Sequence, residues 1–201
     1  MVVIAFMKRD LKQKVACCSA NIVFHGSPTG GLKSIEPHVS SHGKTYVYAT
    51  KEKALSLLFM AKWNDFILNV AYGDDAVLEI TERYPNAFGE VYRNKAGYLY
   101  ELASDNFAEG LTGFEGEVVS VGAEPVLKET YITNLYDELY QLIASRQIRL
   151  RKYPERHPDI PDDDSDLVEE AINLYNQGHK NAIELCIALH PALKDRLAGF
   201  N

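Results

Sequence analysis

Cysteine is scarce: Cys17, Cys18 and Cys186 are the only three in 201 residues. Two adjacent thiols and a distant third build neither a disulfide framework nor the C-x-x-C spacing of a zinc or redox site, so all three are read as reduced. Long apolar runs are absent as well. Nothing approaches the roughly 20 residues that span a bilayer, and Val2–Met7 is shorter than a signal-peptide core and precedes its positive charges instead of following them. The expectation is a cytoplasmic protein without a membrane partner. No G-x-G-x-x-G follows an apolar strand, which leaves a Rossmann reading without support. His38 and His42 have no cysteine or close carboxylate at ligand spacing, so no metal site is expected. Positive charge is also short: 21 Lys and Arg against 28 Asp and Glu give a net charge of −7. That balance argues against a broad phosphate-binding surface.

What the chain does have is apolar content, 46% of its residues, enough to bury a core in one domain with an appendage. Residues 1–19 mix a short apolar run with the polar stretch Lys8–Lys14 and read as an arm. Apolar runs then predict strands at 21–25 and 45–49, joined by a Gly- and Ser-rich loop over 26–44 and followed by a helix over about 51–69. Val77–Ile80 alternates as a strand. Glu90–Tyr92 and Tyr98–Leu102 flank a turn at 93–97 and read as a hairpin, and Val118–Val121 and Val126–Ile132 add two more strands. Several strands with one early helix predict an α+β domain on two small packed sheets, not alternating βαβ units. Thr133 reads as the cap of a helix reaching about Lys152. Beyond Pro154, Pro158, Pro161 and the Asp162–Asp164 run, residues 153–201 read as a helical hairpin. Asp164 or Ser165 is its first cap, and it docks on the domain at 20–152 or binds a protein partner.

The chemistry concentrates where the first strand ends, at His25-Gly26-Ser27. An imidazole there sits beside bare backbone, and a glycine lets a planar carboxamide approach the main chain. The second apolar stretch, Thr45–Thr50, carries Tyr48, a ring suited to stacking on a pyridinium face, worth about 0.5–2 kcal/mol. In the helical pattern that follows, Ser56 and Phe59 form an i,i+3 pair on one face.

This order of residues resembles the ADP-ribosyltransferase superfamily, specifically the His-Tyr-Glu branch of poly(ADP-ribose) polymerases and diphtheria-type toxins. In that branch the first strand carries His-Gly-Ser, the second carries Tyr before a helix, and a second ring follows the tyrosine by eleven residues, with a small hydroxyl residue three positions before the ring. The resemblance covers roughly residues 20–130. It implies a split two-sheet core with NAD as co-substrate, bound bent in a cleft. His25 would lie on the adenosine ribose, and Gly26 and Ser27 on the carboxamide side. Tyr48 and Phe59 would sandwich the nicotinamide, with Ser56 near the amide. It also implies a carboxylate at the start of a later strand, stabilising an oxocarbenium-like transition state. Glu117, before Val118-Val119-Ser120-Val121, fits best; Glu124 is the second choice and Glu101 the third. The activity implied is mono-ADP-ribosyl transfer to an acceptor left open among protein, nucleic acid and small molecule. A non-catalytic NAD- or nucleotide-binding interaction module is the alternative. An RNA 2′-phosphotransferase ranks lower, because Arg83 and Arg93 are the only arginines between residues 20 and 130.

Overall fold

The computed structural model describes residues 21–39 and 44–200. The arm expected at 1–19, with Cys17 and Cys18, lies outside the described residues, as does His42. In chain order the elements are β1 (Ile22–Ser27), β2 (Ser34–Ile35), β3 (His38–Val39), β4 (Thr45–Thr50), α1 (Lys53–Leu58), β5 (Leu68–Tyr72), β6 (Leu78–Glu82), α2 (Ala87–Tyr92), β7 (Gly97–Ala103), β8 (Ala108–Glu109), β9 (Glu117–Ser120), β10 (Glu124–Ile132), α3 (Leu135–Ala144), β11 (Ile148–Arg151), α4 (Ser165–Asn176), α5 (Ala182–Leu189) and a 3₁₀ helix (Pro191–Leu197). The chain is α+β, as its strand-rich pattern predicts. Its two sheets are unequal. The larger is antiparallel throughout in the order β2-β10-β7-β1-β4-β9-β8, with β3 added on β4. The smaller is β11-β6-β5, with β11 parallel to β6.

Alternation along β4 sends Val47 and Ala49 into a core with Val23, Tyr100, Leu102 and Val118. Tyr46, Tyr48 and Thr50 share the opposite face, since strand side chains repeat every two residues. The main core, on the other side of the large sheet, gathers Leu55 and Leu57 of α1, Leu78 and Ile80 of β6, Phe88 and Tyr92 of α2, and Leu135 and Leu139 of α3. The C-terminal helices have a core of their own, built on Leu167, Ala171, Ile183, Cys186, Leu193 and Leu197, into which Phe66 also inserts. Phe66 comes from the segment before β5, and its carbonyl is 2.7 Å from His190 Nε2. Burial pushes the Cys186 thiol up to about 11, so it stays protonated as a packing group.

Three expected elements are overturned. The helix expected over 51–69 ends at Leu58; Asn64 turns the chain by accepting the Phe66 N–H at 3.0 Å, and the run after it pairs as β5 along β6. Leu55, Phe59, Trp63 and Phe66 therefore share no single helix face. Residues 90–92 are the end of α2 and not a hairpin strand: four of its side chains face the core, and the buried Glu82 carboxylate accepts the Phe88 N–H at 3.0 Å in its first turn. The helix expected to reach Lys152 stops at Ala144, and Arg146 turns the chain with φ at 62°. Strand β11 then lies along β6, where Arg149 and Arg151 both pair with the buried Glu79. The cap of α3 is Asn134, not Thr133; its side-chain oxygen accepts the Asp137 N–H at 3.2 Å. Asp164 does occupy the cap position of α4, but its carboxylate turns away to Arg83 and Arg156.

Candidate active site

Strands β1 and β4 are neighbours whose ladder holds a single pair, Phe24 with Thr50. Next to that pair the His25 ring reaches across, its Nδ1 2.7 Å from the Tyr48 carbonyl oxygen. A carbonyl only accepts, so Nδ1 carries the proton; in the neutral ring Nε2 is then an acceptor. Burial pushes the His25 imidazole below its ordinary value; the bond to Tyr48 opposes this, and the nearby His38 adds to it. At neutral pH His25 is an oriented, uncharged acceptor.

A cavity of about 430 Å³ opens where the two strands part, and its walls include His25, Gly26, Ser27, Tyr48, Ser56, Phe59 and Glu117. The residues singled out across 93 positions of sequence thus share one concave site. Each is held by ordinary local forces. The Tyr48 hydroxyl donates to the Lys44 carbonyl at 3.0 Å, which fixes the ring at the edge of β4. Ser56 is buried in α1 with its hydroxyl donating to the Lys53 carbonyl at 2.7 Å. Phe59 caps α1, is 40% exposed, and stacks on Trp63 with centroids 6.0 Å apart and planes at 24°. Gly26 is required for a reason the sequence does not show: a Cβ there would sit 1.9 Å from the Ser56 carbonyl oxygen, so helix backbone takes the space its missing side chain leaves.

Glu117 opens β9 opposite Thr50. It follows Gly116, whose φ of 82° is left-handed and whose Cβ position lies 2.3 Å from the Tyr72 hydroxyl oxygen. Directly after this turn, Glu117 lines the cavity. Of the three candidate acids, Glu117 alone is there. Glu124 is buried and accepts from the Ser120 hydroxyl at 2.5 Å and the Asn106 amide at 3.3 Å. Glu101 pairs with Lys128 at 2.7 Å on the neighbouring strand β7.

Several wall residues escaped the sequence reading. His38, inside the stretch 26–44 expected as a loop, lies on β3 opposite Tyr46, lines the cavity, and has its ring 5.4 Å from that of Tyr48. A two-residue strand offers no periodicity to read. A second cavity of about 940 Å³ adjoins the first through Phe59 and Glu117, and its far wall comes from α4 and α5 through Glu170, Leu174 and Leu185. No local signal ties helices so distant in sequence to this edge.

Among the described residues no helix is long and apolar enough to cross a membrane, and no cluster of His, Cys, Asp and Glu is placed to hold a metal ion. Compared with protein-family models, with curated proteins and with solved structures, the chain finds no match.

Proposed function

We propose that the chain is an NAD-dependent ADP-ribosyltransferase of the His-Tyr-Glu type, with the cavity between β1 and β4 as its nicotinamide-ribose site. One observation carries this reading: His25, Tyr48, Ser56, Phe59 and Glu117, chosen for their order in sequence, line a single cavity. In this reading the split two-sheet core is the transferase fold, and residues 153–201 are its helical extension.

Each residue has work suited to its geometry. The acceptor Nε2 of His25 takes a hydroxyl of the adenosine ribose. Tyr48 and Phe59 offer ring faces to the pyridinium, which attracts π-systems by charge as well as area. Glu117 accepts a hydrogen bond from the nicotinamide ribose and stabilises the positive charge that develops as the bond from C1′ to the nicotinamide nitrogen lengthens. The bonding pair leaves with nicotinamide and neutralises its ring. The acceptor then bonds to C1′ and gives up its proton, entering from the adjoining larger cavity that shares Phe59 and Glu117. No arginine is among the described residues lining the first cavity, which weighs against a phosphotransferase.

The test is release of free nicotinamide from NAD by the purified chain, with and without cell lysate as a source of acceptor. Wild type is expected to release it, and Glu117→Gln to bind NAD while losing most turnover, because the amide keeps the shape without the charge. Binding of NAD with no release in either condition favours the non-catalytic module. Equal turnover in Glu117→Gln and wild type removes Glu117 from the catalytic role.

A further inference from the structure

We infer that Tyr72 is a positioning residue for Glu117: its hydroxyl, anchored by Glu52, is the stop against which the turn leading into Glu117 rests. Its effect on turnover rests on the NAD reading; its hold on the turn does not. The turn before β9 carries two left-handed glycines, Gly113 at φ 83° and Gly116 at φ 82°. Glycine imposes little conformation of its own, so this backbone needs support from outside to keep one shape. The bond that closes the turn is long, from the Glu117 N–H to the Phe114 carbonyl at 3.4 Å. Nothing lies within 4 Å of the Cβ position at Gly113, so the turn is held at Gly116. Tyr72 ends β5 and reaches across to it, the hydroxyl oxygen filling the side where a side chain would stand, with Leu55 of α1 beside it.

The hydroxyl is itself fixed. It donates to Glu52 Oε1 at 3.0 Å. Burial, together with that carboxylate, pushes Tyr72 well above the ordinary tyrosine range, so it stays a donor at neutral pH. Glu52 stands at the N-cap of α1, yet its side chain makes no cap bond and is turned to Tyr72 instead. The Glu52 N–H donates to the Thr50 hydroxyl oxygen at 3.0 Å, and Thr50 is the partner of Glu117 across β4 and β9. The contacts run from Glu117 through Thr50, Glu52 and Tyr72 to Gly116 and so close a ring drawn from both sheets and the start of α1. Glu117 is bracketed by its ladder partner on one side and, one residue earlier, by the tyrosine. Glu52 is exposed, so without the Tyr72 hydroxyl its carboxylate turns to water at little cost to the fold. In Gly116→Ala the same hydroxyl becomes an obstacle, so its removal acts with the opposite sign there.

The experiment measures nicotinamide release from NAD and amide hydrogen exchange for wild type, Tyr72→Phe, Glu52→Ala and Glu52→Gln, with Tm as the check on folding. Tyr72→Phe and Glu52→Ala are each expected to lower kcat about tenfold, the size of one hydrogen bond, with KM for NAD unchanged. Their double variant is expected to fall no further than either alone, because both remove the same contact. Glu52→Gln keeps an oxygen to accept the bond and is expected to restore most of kcat. Exchange is expected to quicken over residues 113–117 in Tyr72→Phe and to stay as in wild type along β5 and β6. Four results overturn the assignment: unchanged exchange over 113–117, turnover equal to that of an active wild type, a glutamine no better than alanine at position 52, or loosening that spreads through β5 and β6 with a fall in Tm. A wild type that releases no nicotinamide overturns the NAD reading, and exchange alone then decides whether Tyr72 holds the turn.

Discussion

Replacing Gly26 by alanine probes the contact on which the cavity is built. The added Cβ would meet the Ser56 carbonyl oxygen at 1.9 Å, its carbon at 3.0 Å and Met60 Cγ at 3.2 Å. Ordinary contact begins near 3.4 Å, so helix and strand have to separate by about 1.5 Å. The obstacle is backbone, which cannot rotate aside as a side chain end can. The Ser56 carbonyl also accepts the Phe59 N–H at 3.3 Å, so its displacement moves the stacking ring. Overpacking of this kind costs about 1–3 kcal/mol, which for a chain of this size lowers Tm by about 2–12 °C. A displacement above 1 Å at a reaction centre reduces turnover by up to about 100-fold. Thermal unfolding and nicotinamide release read the two effects separately. Gly122→Ala is the control, because nothing lies within 4 Å of its Cβ position and its backbone is not left-handed. Equal Tm and turnover for Gly26→Ala and wild type would refute the argument that this glycine exists to admit the helix.

Other outcomes follow from the same geometry. Because burial holds the folded-state His25 below the ordinary 6.5, the unfolded chain binds the proton first, so stability is full above about pH 6.5 and falls as the pH drops through it. His25→Gln should show a shallower loss between pH 7.5 and 5.5 in denaturant titrations. Arg83, 2% exposed, joins Asp164 and Asp166 of the C-terminal helical segment; Arg83→Ala should cost about 3 kcal/mol, measured by urea unfolding, since both acids keep some solvent. Gly116→Ala forces a Cβ into left-handed backbone at about 1–2 kcal/mol, besides its clash with Tyr72. Its turnover should fall along with its Tm, and Tyr72→Ala should return part of both.

The strands that flank the cavity were legible because their signals are local. Ile22–Phe24 and Thr45–Thr50 are apolar runs ending in residues of recognisable chemistry, and Val118–Ser120 is a β-branched run preceded by its acid. Ser56 and Phe59 reach the cavity although the helix predicted around them is mostly absent. Six residues of α1 suffice to place Ser56, and Phe59 stands at its cap. What escaped depends on partners far along the chain. Strand β5 becomes a strand only beside β6, and β11 only where Glu79 neutralises its two arginines. Residues 90–92 read as a strand from Val91 and Tyr92, and Glu82 together with the apolar pocket around Phe88 and Tyr92 decides for helix. The place of His38 on the cavity wall escaped for the same reason, since its strand is a two-residue pairing with β4.

The insertion of Phe66 among the C-terminal helices ties the far end of the chain to Phe59 and Trp63, only a few residues upstream. A polypeptide shortened after residue 152 would bare that ring, strand the guanidinium of Arg83 and loosen the shelf on which the larger cavity rests. The tail is thus a splint for the rim, and trimming it should be felt first in the shape of the larger cavity.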